Sequence, residues 1–136
     1  MWKMRRWIAR FLLAAAAVCL IAPSADARNA AQRDVESYAI ASCLANQDQP
    51  YLKDQGDAWA SVILQRAKGG LDAFASVAAT VRTELAKGNM SVIRSETGSA
   101  KDKPLPLQYC GEIVDVPSVH VAIDKAVKKM ESSYRR

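Results

Sequence analysis

The chain has 136 residues, with 19 Lys and Arg, 14 Asp and Glu, one His and three Cys. This length accommodates one domain and excludes an enzyme built from two lobes. A single His excludes a His-rich metal site and a relay between two histidines. The net charge of +5 would suit a nucleic-acid-binding protein, but the first ten residues, MWKMRRWIAR, hold four of the cations and no acid.

The first 27 residues have the three-part pattern of a secretory signal peptide. The cations are followed by an apolar run over residues 11–22, then by Pro23-Ser24 and by the small-residue triplet Ala25-Asp26-Ala27. We therefore predict export and cleavage after Ala27. The apolar run is too short to span a membrane, which needs about 20 apolar residues. The Arg5-Arg6 pair leaves the twin-arginine export route open beside the general one.

Residues 28–136 form the predicted mature domain. They carry 15 Lys and Arg and 13 Asp and Glu, a net charge of +2. Nucleic-acid binding draws on several clustered cations that contact phosphates, so this near-neutral balance removes its main support. No membrane insertion is predicted after cleavage.

The mature domain keeps two of the three cysteines, Cys43 and Cys110, because Cys19 lies in the predicted signal peptide. Two cysteines in an exported domain most simply form one disulfide, and a bridge across so long a loop is worth about 4 kcal/mol. The alternative is a small hydrolase in which Cys43 or Cys110 is a nucleophile paired with His120. Asp124 lies four residues beyond His120 and favours a surface ion pair for it instead.

Helical periodicity runs through the mature domain and predicts an all-α fold, a compact bundle of about five helices with one disulfide. The helices are predicted over residues 30–47, 58–68, 71–87, 106–115 and 117–131, with Asp57 as an N-cap and Gly88 as a C-cap glycine. The residues predicted to share one face of each helix are Val35, Ala39 and Cys43; Trp59, Val62, Ile63 and Arg66; Leu71, Phe74, Ala78, Val81 and Leu85; Leu107, Cys110 and Val114; and Val119, Ala122, Ile123, Ala126 and Met130. The faces of the third and fifth helices are predicted to be buried. Residues 89–104 are polar and are predicted to form a long loop, either functional or a plain connector.

A resemblance to a known family rests on a few positions. The first helix carries Cys43 within Tyr38–Ala45, and a late helix carries a Leu-x-x-Cys-x-acid-hydrophobic stretch formed by Leu107, Cys110, Glu112 and Ile113. In this layout, over roughly residues 34–130, the chain resembles the periplasmic immunity proteins of type VI secretion amidase effectors, in the fourth group of that system.

The resemblance implies a periplasmic, all-helical, often homodimeric inhibitor without catalytic residues or cofactors. Its partner would be a cysteine-dependent peptidoglycan amidase whose substrate groove it occludes, which prevents self-intoxication. The segment 89–104 is then the candidate partner-binding loop, and its charged residues are Arg94, Glu96, Lys101, Asp102 and Lys103. The alternative is a general periplasmic binding or stress module, such as a lysozyme-type inhibitor.

Overall fold

The structure is a computed structural model, and it describes residues 30–96, 98 and 101–135. The predicted signal peptide, residues 1–27, lies outside the described residues. Three longer helices come first: α1 (Ala30–Ala45), α2 (Pro50–Arg66) and α3 (Asp72–Leu85). Two short strands follow, β1 (Val92–Ile93) and β2 (Lys103–Pro104), and then α4 (Pro106–Gly111), a 3-10 turn (Ile113–Asp115) and α5 (Pro117–Tyr134).

The all-α prediction is confirmed for the described residues, which form five α-helices around one apolar core. Helix α1 lies at the centre, in contact with α2, α3, α4 and α5. Its predicted stripe of Val35, Ala39 and Cys43 is fully buried. The aromatic rings of Tyr38 on α1 and Phe74 on α3 pack edge to face, with their centroids 4.9 Å apart. Most predicted inward positions of α3 and α5 are likewise buried.

Helix α2 begins at Pro50, so the predicted start at residue 58 is wrong, as is the N-cap role of Asp57. Proline suits the first position of a helix because its φ angle is already helical and its missing N–H would have no partner there. Asp57 lies inside the helix instead, where its carbonyl accepts a hydrogen bond from the Ser61 hydroxyl at 2.8 Å. Of α2, only Gly56 and Ile63 are buried, which makes it the peripheral helix of the bundle.

Five residues of the predicted helix faces lie outside the core. Trp59, Val62, Arg66, Leu71 and Leu107 are exposed. Leu71 precedes the first residue of α3, and Leu107 belongs to a six-residue helix whose only buried residue is Cys110. The predicted helix over 106–115 therefore divides after Gly111, because a 3-10 turn carries the chain to Pro117. The last helix continues to Tyr134, three residues beyond the predicted end.

The buried carboxylate of Asp34 joins three helices. Asp34 on α1 is buried and accepts hydrogen bonds from Arg66 on α2, with Nε at 3.0 Å and the terminal nitrogen at 2.7 Å. The Tyr134 hydroxyl on α5 donates to the other carboxylate oxygen at 2.8 Å. Burial raises the pKa of Tyr134, and its bond to Asp34 adds to that increase. This hydrogen bond fixes the last turn of α5 to α1.

The predicted disulfide is present and joins Cys43 of α1 to Cys110 of α4 across 67 residues of chain. Both cysteines are fully buried. The side chain of Gln47, also buried, donates to the Cys43 carbonyl at 3.1 Å, and its nitrogen lies 3.5 Å from the Cys110 sulfur. The disulfide fastens the short helix α4 to the centre of the bundle.

We expect Gly56→Ala to destabilise the fold, because α1 and α2 touch at this position. An added Cβ would lie 2.2 Å from the Ala45 nitrogen and 2.7 Å from the Ala41 oxygen, both backbone atoms that cannot move aside alone. Overpacking of this kind costs about 1–3 kcal/mol. The matched control is Gly111→Ala, since nothing lies within 4 Å of its Cβ position. Urea unfolding of both variants measures the difference; an unchanged midpoint for Gly56→Ala would contradict the contact.

We expect the double variant Cys43→Ala/Cys110→Ala to lose about 4 kcal/mol, the chain-entropy value of so long a closed loop, through a more disordered unfolded state. The oxidised and reduced forms of the unchanged protein should differ in the same direction. Urea unfolding with and without a dithiol reductant gives both numbers. A count of two free thiols in the denatured, unreduced protein would contradict the disulfide.

Candidate partner-binding surface

Within segment 89–104, the two short strands β1 and β2 pair as a β-hairpin, of which the structure describes residues 89–96, 98 and 101–104. Val92 pairs with Pro104 and Ile93 with Lys103, in antiparallel register. Arg94 directly follows β1 and Asp102 directly precedes β2. All five predicted loop residues, Arg94, Glu96, Lys101, Asp102 and Lys103, are exposed. The structure therefore brings the predicted charged residues together on one protruding element.

Exposed apolar side chains lie close in sequence to these charged residues. Val92 is 46% exposed and Ile93 54% exposed, and they project from opposite faces of β1. Leu107, at the start of α4, is 64% exposed. The helical pattern placed Leu107 on one face with the buried Cys110, and two apolar residues are too short a run to predict the strand β1. Mixed apolar and charged residues on a protrusion are typical of protein-binding surfaces.

The helices on either side of the hairpin are fixed to the rest of the bundle. On the α3 side, the buried Glu84 accepts hydrogen bonds from Lys87 at 2.7 Å and from the Ser118 hydroxyl of α5. On the α4 side, the disulfide anchors Cys110. The Leu105 amide also donates to the Ser91 carbonyl at 3.0 Å, which continues the pairing of the two arms toward the bundle.

An acidic groove of about 460 Å³ lies at the base of the hairpin. Its lining includes the carboxylates of Glu84, Glu112 and Asp115, together with Ser91 and Tyr109. The bonds that Glu84 accepts, first from Lys87 and then from Ser118, lower the pKa of its carboxyl below the ordinary value of 4.5. Because Lys87 balances the charge of Glu84, the acidic character of the groove comes from Glu112 and Asp115, and it favours basic side chains of a partner.

Two other surfaces lie apart from the hairpin. A groove of about 370 Å³ runs between α3 and α5, with Lys125 and Lys129 among its lining residues. Lys129 pairs with Asp72 at the start of α3, and this bond lowers the pKa of Asp72. The second surface is the outer side of α2, where Tyr51 is 72% and Val62 53% exposed.

The structure does not assemble the alternative site that would combine a cysteine with a histidine. Both Cys43 and Cys110 are fully buried and their sulfurs are joined, so neither is a free nucleophile in this form. His120 is exposed on α5, and its Nε2 lies 3.8 Å from the Asp124 carboxylate, as the four-residue spacing predicts. This geometry suits a surface ion pair.

No group of three or more His, Cys, Asp or Glu side chains in residues 30–96, 98 and 101–135 has an arrangement that could hold a metal ion. Within the same ranges, every helix is too short or too polar to cross a membrane.

Sequence reasoning missed the polar residues that position the hairpin. Glu84 and Gln47 are both buried, yet each lies among residues that read as ordinary helix surface or loop. Glu84 follows the apolar stripe of α3 at a spacing of three residues from Val81, and this is the only signal that could have suggested its burial. Gln47 is four residues beyond Cys43, which places its amide over the disulfide.

We expect Glu84→Gln to lower the stability of the fold at pH 7 and to weaken its dependence on acid. A carboxyl whose pKa is lowered in the folded state stabilises it above the unfolded value of 4.5, and this contribution is lost as the pH falls through the folded pKa. Urea unfolding between pH 7 and pH 3 measures both effects. The control is Glu112→Gln, an exposed carboxylate of the same groove. Parallel pH curves for Glu84→Gln and the unchanged protein would contradict this assignment.

Comparison with known proteins gives this chain no family. No family model matches it, and neither a curated protein nor a solved structure is significantly similar to it.

Proposed function

We propose that this protein is a periplasmic immunity protein that binds a peptidoglycan amidase effector of type VI secretion and occludes its substrate groove. The observation that carries the proposal is the charged, exposed hairpin that contains Arg94 and Lys103 and is followed by a helix that a disulfide joins to the bundle. The proposal also draws on the resemblance at Cys43, Leu107, Cys110, Glu112 and Ile113.

Occlusion requires a protrusion that keeps its shape when it enters a cleft. A flexible loop would lose conformational entropy on binding, whereas a preformed element loses less. The antiparallel pairing of Ile93 with Lys103 and the Leu105 to Ser91 hydrogen bond order the arms of the hairpin before any partner arrives. The disulfide orders α4, which follows directly. These features support an inhibitor whose binding element is built in advance.

The chemistry of the hairpin also supports a protein partner. Its five charged residues include three cations and two acids, so it presents both signs to a partner. The acidic groove beneath it adds Glu84, Glu112 and Asp115. Charges of both signs around exposed Val92 and Ile93 match the usual pattern of a protein interface, in which an apolar centre is surrounded by polar residues.

The first test is co-expression of the full-length gene with a small Cys/His amidase encoded beside it, with the amidase directed to the periplasm. We expect the cells to survive and a complex to be recovered, whereas the amidase alone lyses them. Continued lysis without a complex would overturn the proposal. An isolated gene without such a neighbour would favour the alternative, a general periplasmic binding module such as a lysozyme-type inhibitor. The homodimer that the resemblance implies stays a prediction, which sedimentation of the same protein tests.

We expect the triple variant Arg94→Glu/Lys101→Glu/Lys103→Glu to weaken the complex with the amidase by about tenfold or more, since charge reversal at an interface opposes the partner's own charges. All three side chains are exposed, so the fold should keep its thermal midpoint. Titration calorimetry measures the affinity.

The matched control reverses two exposed lysines of α5, Lys125 and Lys128, which lie outside the hairpin. This control should retain the affinity of the unchanged protein. Equal losses in both variants would indicate a general charge effect rather than binding by the hairpin.

A further inference from the structure

One buried residue attaches the hairpin and α4 to the apolar core. Among the described residues between Gly88 and Glu112, which are 89–96, 98 and 101–111, only Cys110 is buried. The nearest other buried residues that the structure describes are Glu84 before this part of the chain and Ile113 after it. The disulfide partner of Cys110 lies on the central helix α1, so the covalent bond and the buried contact coincide.

The non-covalent contacts of the hairpin and α4 are weak by comparison. The Leu105 amide donates to the Ser91 carbonyl and the Tyr109 amide to the Leu105 carbonyl, so both bonds lie within this part of the chain. Toward the bundle, the half-buried Tyr109 packs against the core, and the Gln47 amide contacts the Cys110 sulfur. A six-residue helix and a pair of two-residue strands are too short to be stable alone. Their order therefore depends on the covalent bond at Cys110.

The other four helices have contacts that do not involve the disulfide. Helices α1, α3 and α5 contact one another, and α2 packs along α1. Their shared core includes Val35, Phe74 and Ile123, which are all buried. The Asp34 carboxylate further joins α1 to α2 and α5. Stability differs between the parts of a protein, and a part with few buried contacts opens at a lower free energy than the core.

We propose that the disulfide is a redox-sensitive switch, whose reduction releases the hairpin and α4 while α1, α2, α3 and α5 stay folded. The step is a two-electron reduction by a dithiol. The bond between the sulfurs of Cys43 and Cys110 breaks, each sulfur gains one hydrogen, and the dithiol becomes a disulfide. Because disulfides form in oxidising compartments, the hairpin takes its position only after the chain has met an oxidant. This inference concerns the fold and is independent of the identity of the partner.

The test compares hydrogen exchange in the oxidised and reduced forms of the unchanged protein. Both sulfurs are buried, so the reduced form is prepared by unfolding the protein with a dithiol and refolding it without oxygen. In the reduced form, we expect the Tyr109 amide to exchange within about tenfold of the rate in an unfolded chain, while the amides of Val77 and Ile123 stay protected about a hundredfold or more. In the oxidised form, the Tyr109 amide should exchange about tenfold or more slowly than in the reduced form.

A pulse of iodoacetamide on the reduced form, after removal of the dithiol, gives a second measurement. The thiol of a released Cys110 should be alkylated about tenfold or more faster than that of Cys43, which stays within α1. The double variant Cys43→Ala/Cys110→Ala is the control, and it should show the exchange pattern of the reduced form without any reductant.

Three outcomes would overturn the inference. A protected Tyr109 amide in the reduced form would show that non-covalent contacts alone hold α4 on the bundle. Loss of protection at Val77 and Ile123 as well would show that the disulfide supports the whole bundle rather than one part of it. Equal rates of alkylation at Cys43 and Cys110 would show that α4 is not released separately.

Discussion

The disulfide between Cys43 and Cys110 is the constraint on which the position of the hairpin depends. Helix α4 has six residues, too few to be stable alone, and Cys110 is its only buried residue. Without the covalent link, this turn of helix would have little to hold it against α1. Because β2 ends two residues before α4 begins, the link also determines where the second arm of the hairpin leaves the bundle.

Two buried carboxylates, Asp34 and Glu84, further restrict how the helices can pack. Asp34 joins α1 to α2 and α5 through Arg66 and Tyr134, and Glu84 joins the end of α3 to Ser118. A carboxylate removed from water is costly unless it is hydrogen-bonded, so each of these contacts favours one arrangement of helices over the others. The bundle therefore combines a small apolar core with two specific polar junctions, one of which lies at the root of the hairpin.

The hairpin itself has few contacts with the bundle, and its apolar residues remain in water. Such an element adds little to folding stability. Segment 89–104 reads as a polar loop in the sequence because its strands are two residues long.

The sequence by itself determined the all-α class, the disulfide partners and the buried stripes of α1, α3 and α5, because helical periodicity and a cysteine count are local or arithmetic signals. The family resemblance also marked Arg94, Glu96, Lys101, Asp102 and Lys103 as a candidate partner-binding surface. Only the tertiary structure decided the hairpin register, the exposure of Leu107 and the burial of Asp34 and Glu84. The burial of Asp34 and Glu84 depends on contacts with residues distant in the chain, such as Tyr134 and Ser118. No local sequence pattern predicts those contacts.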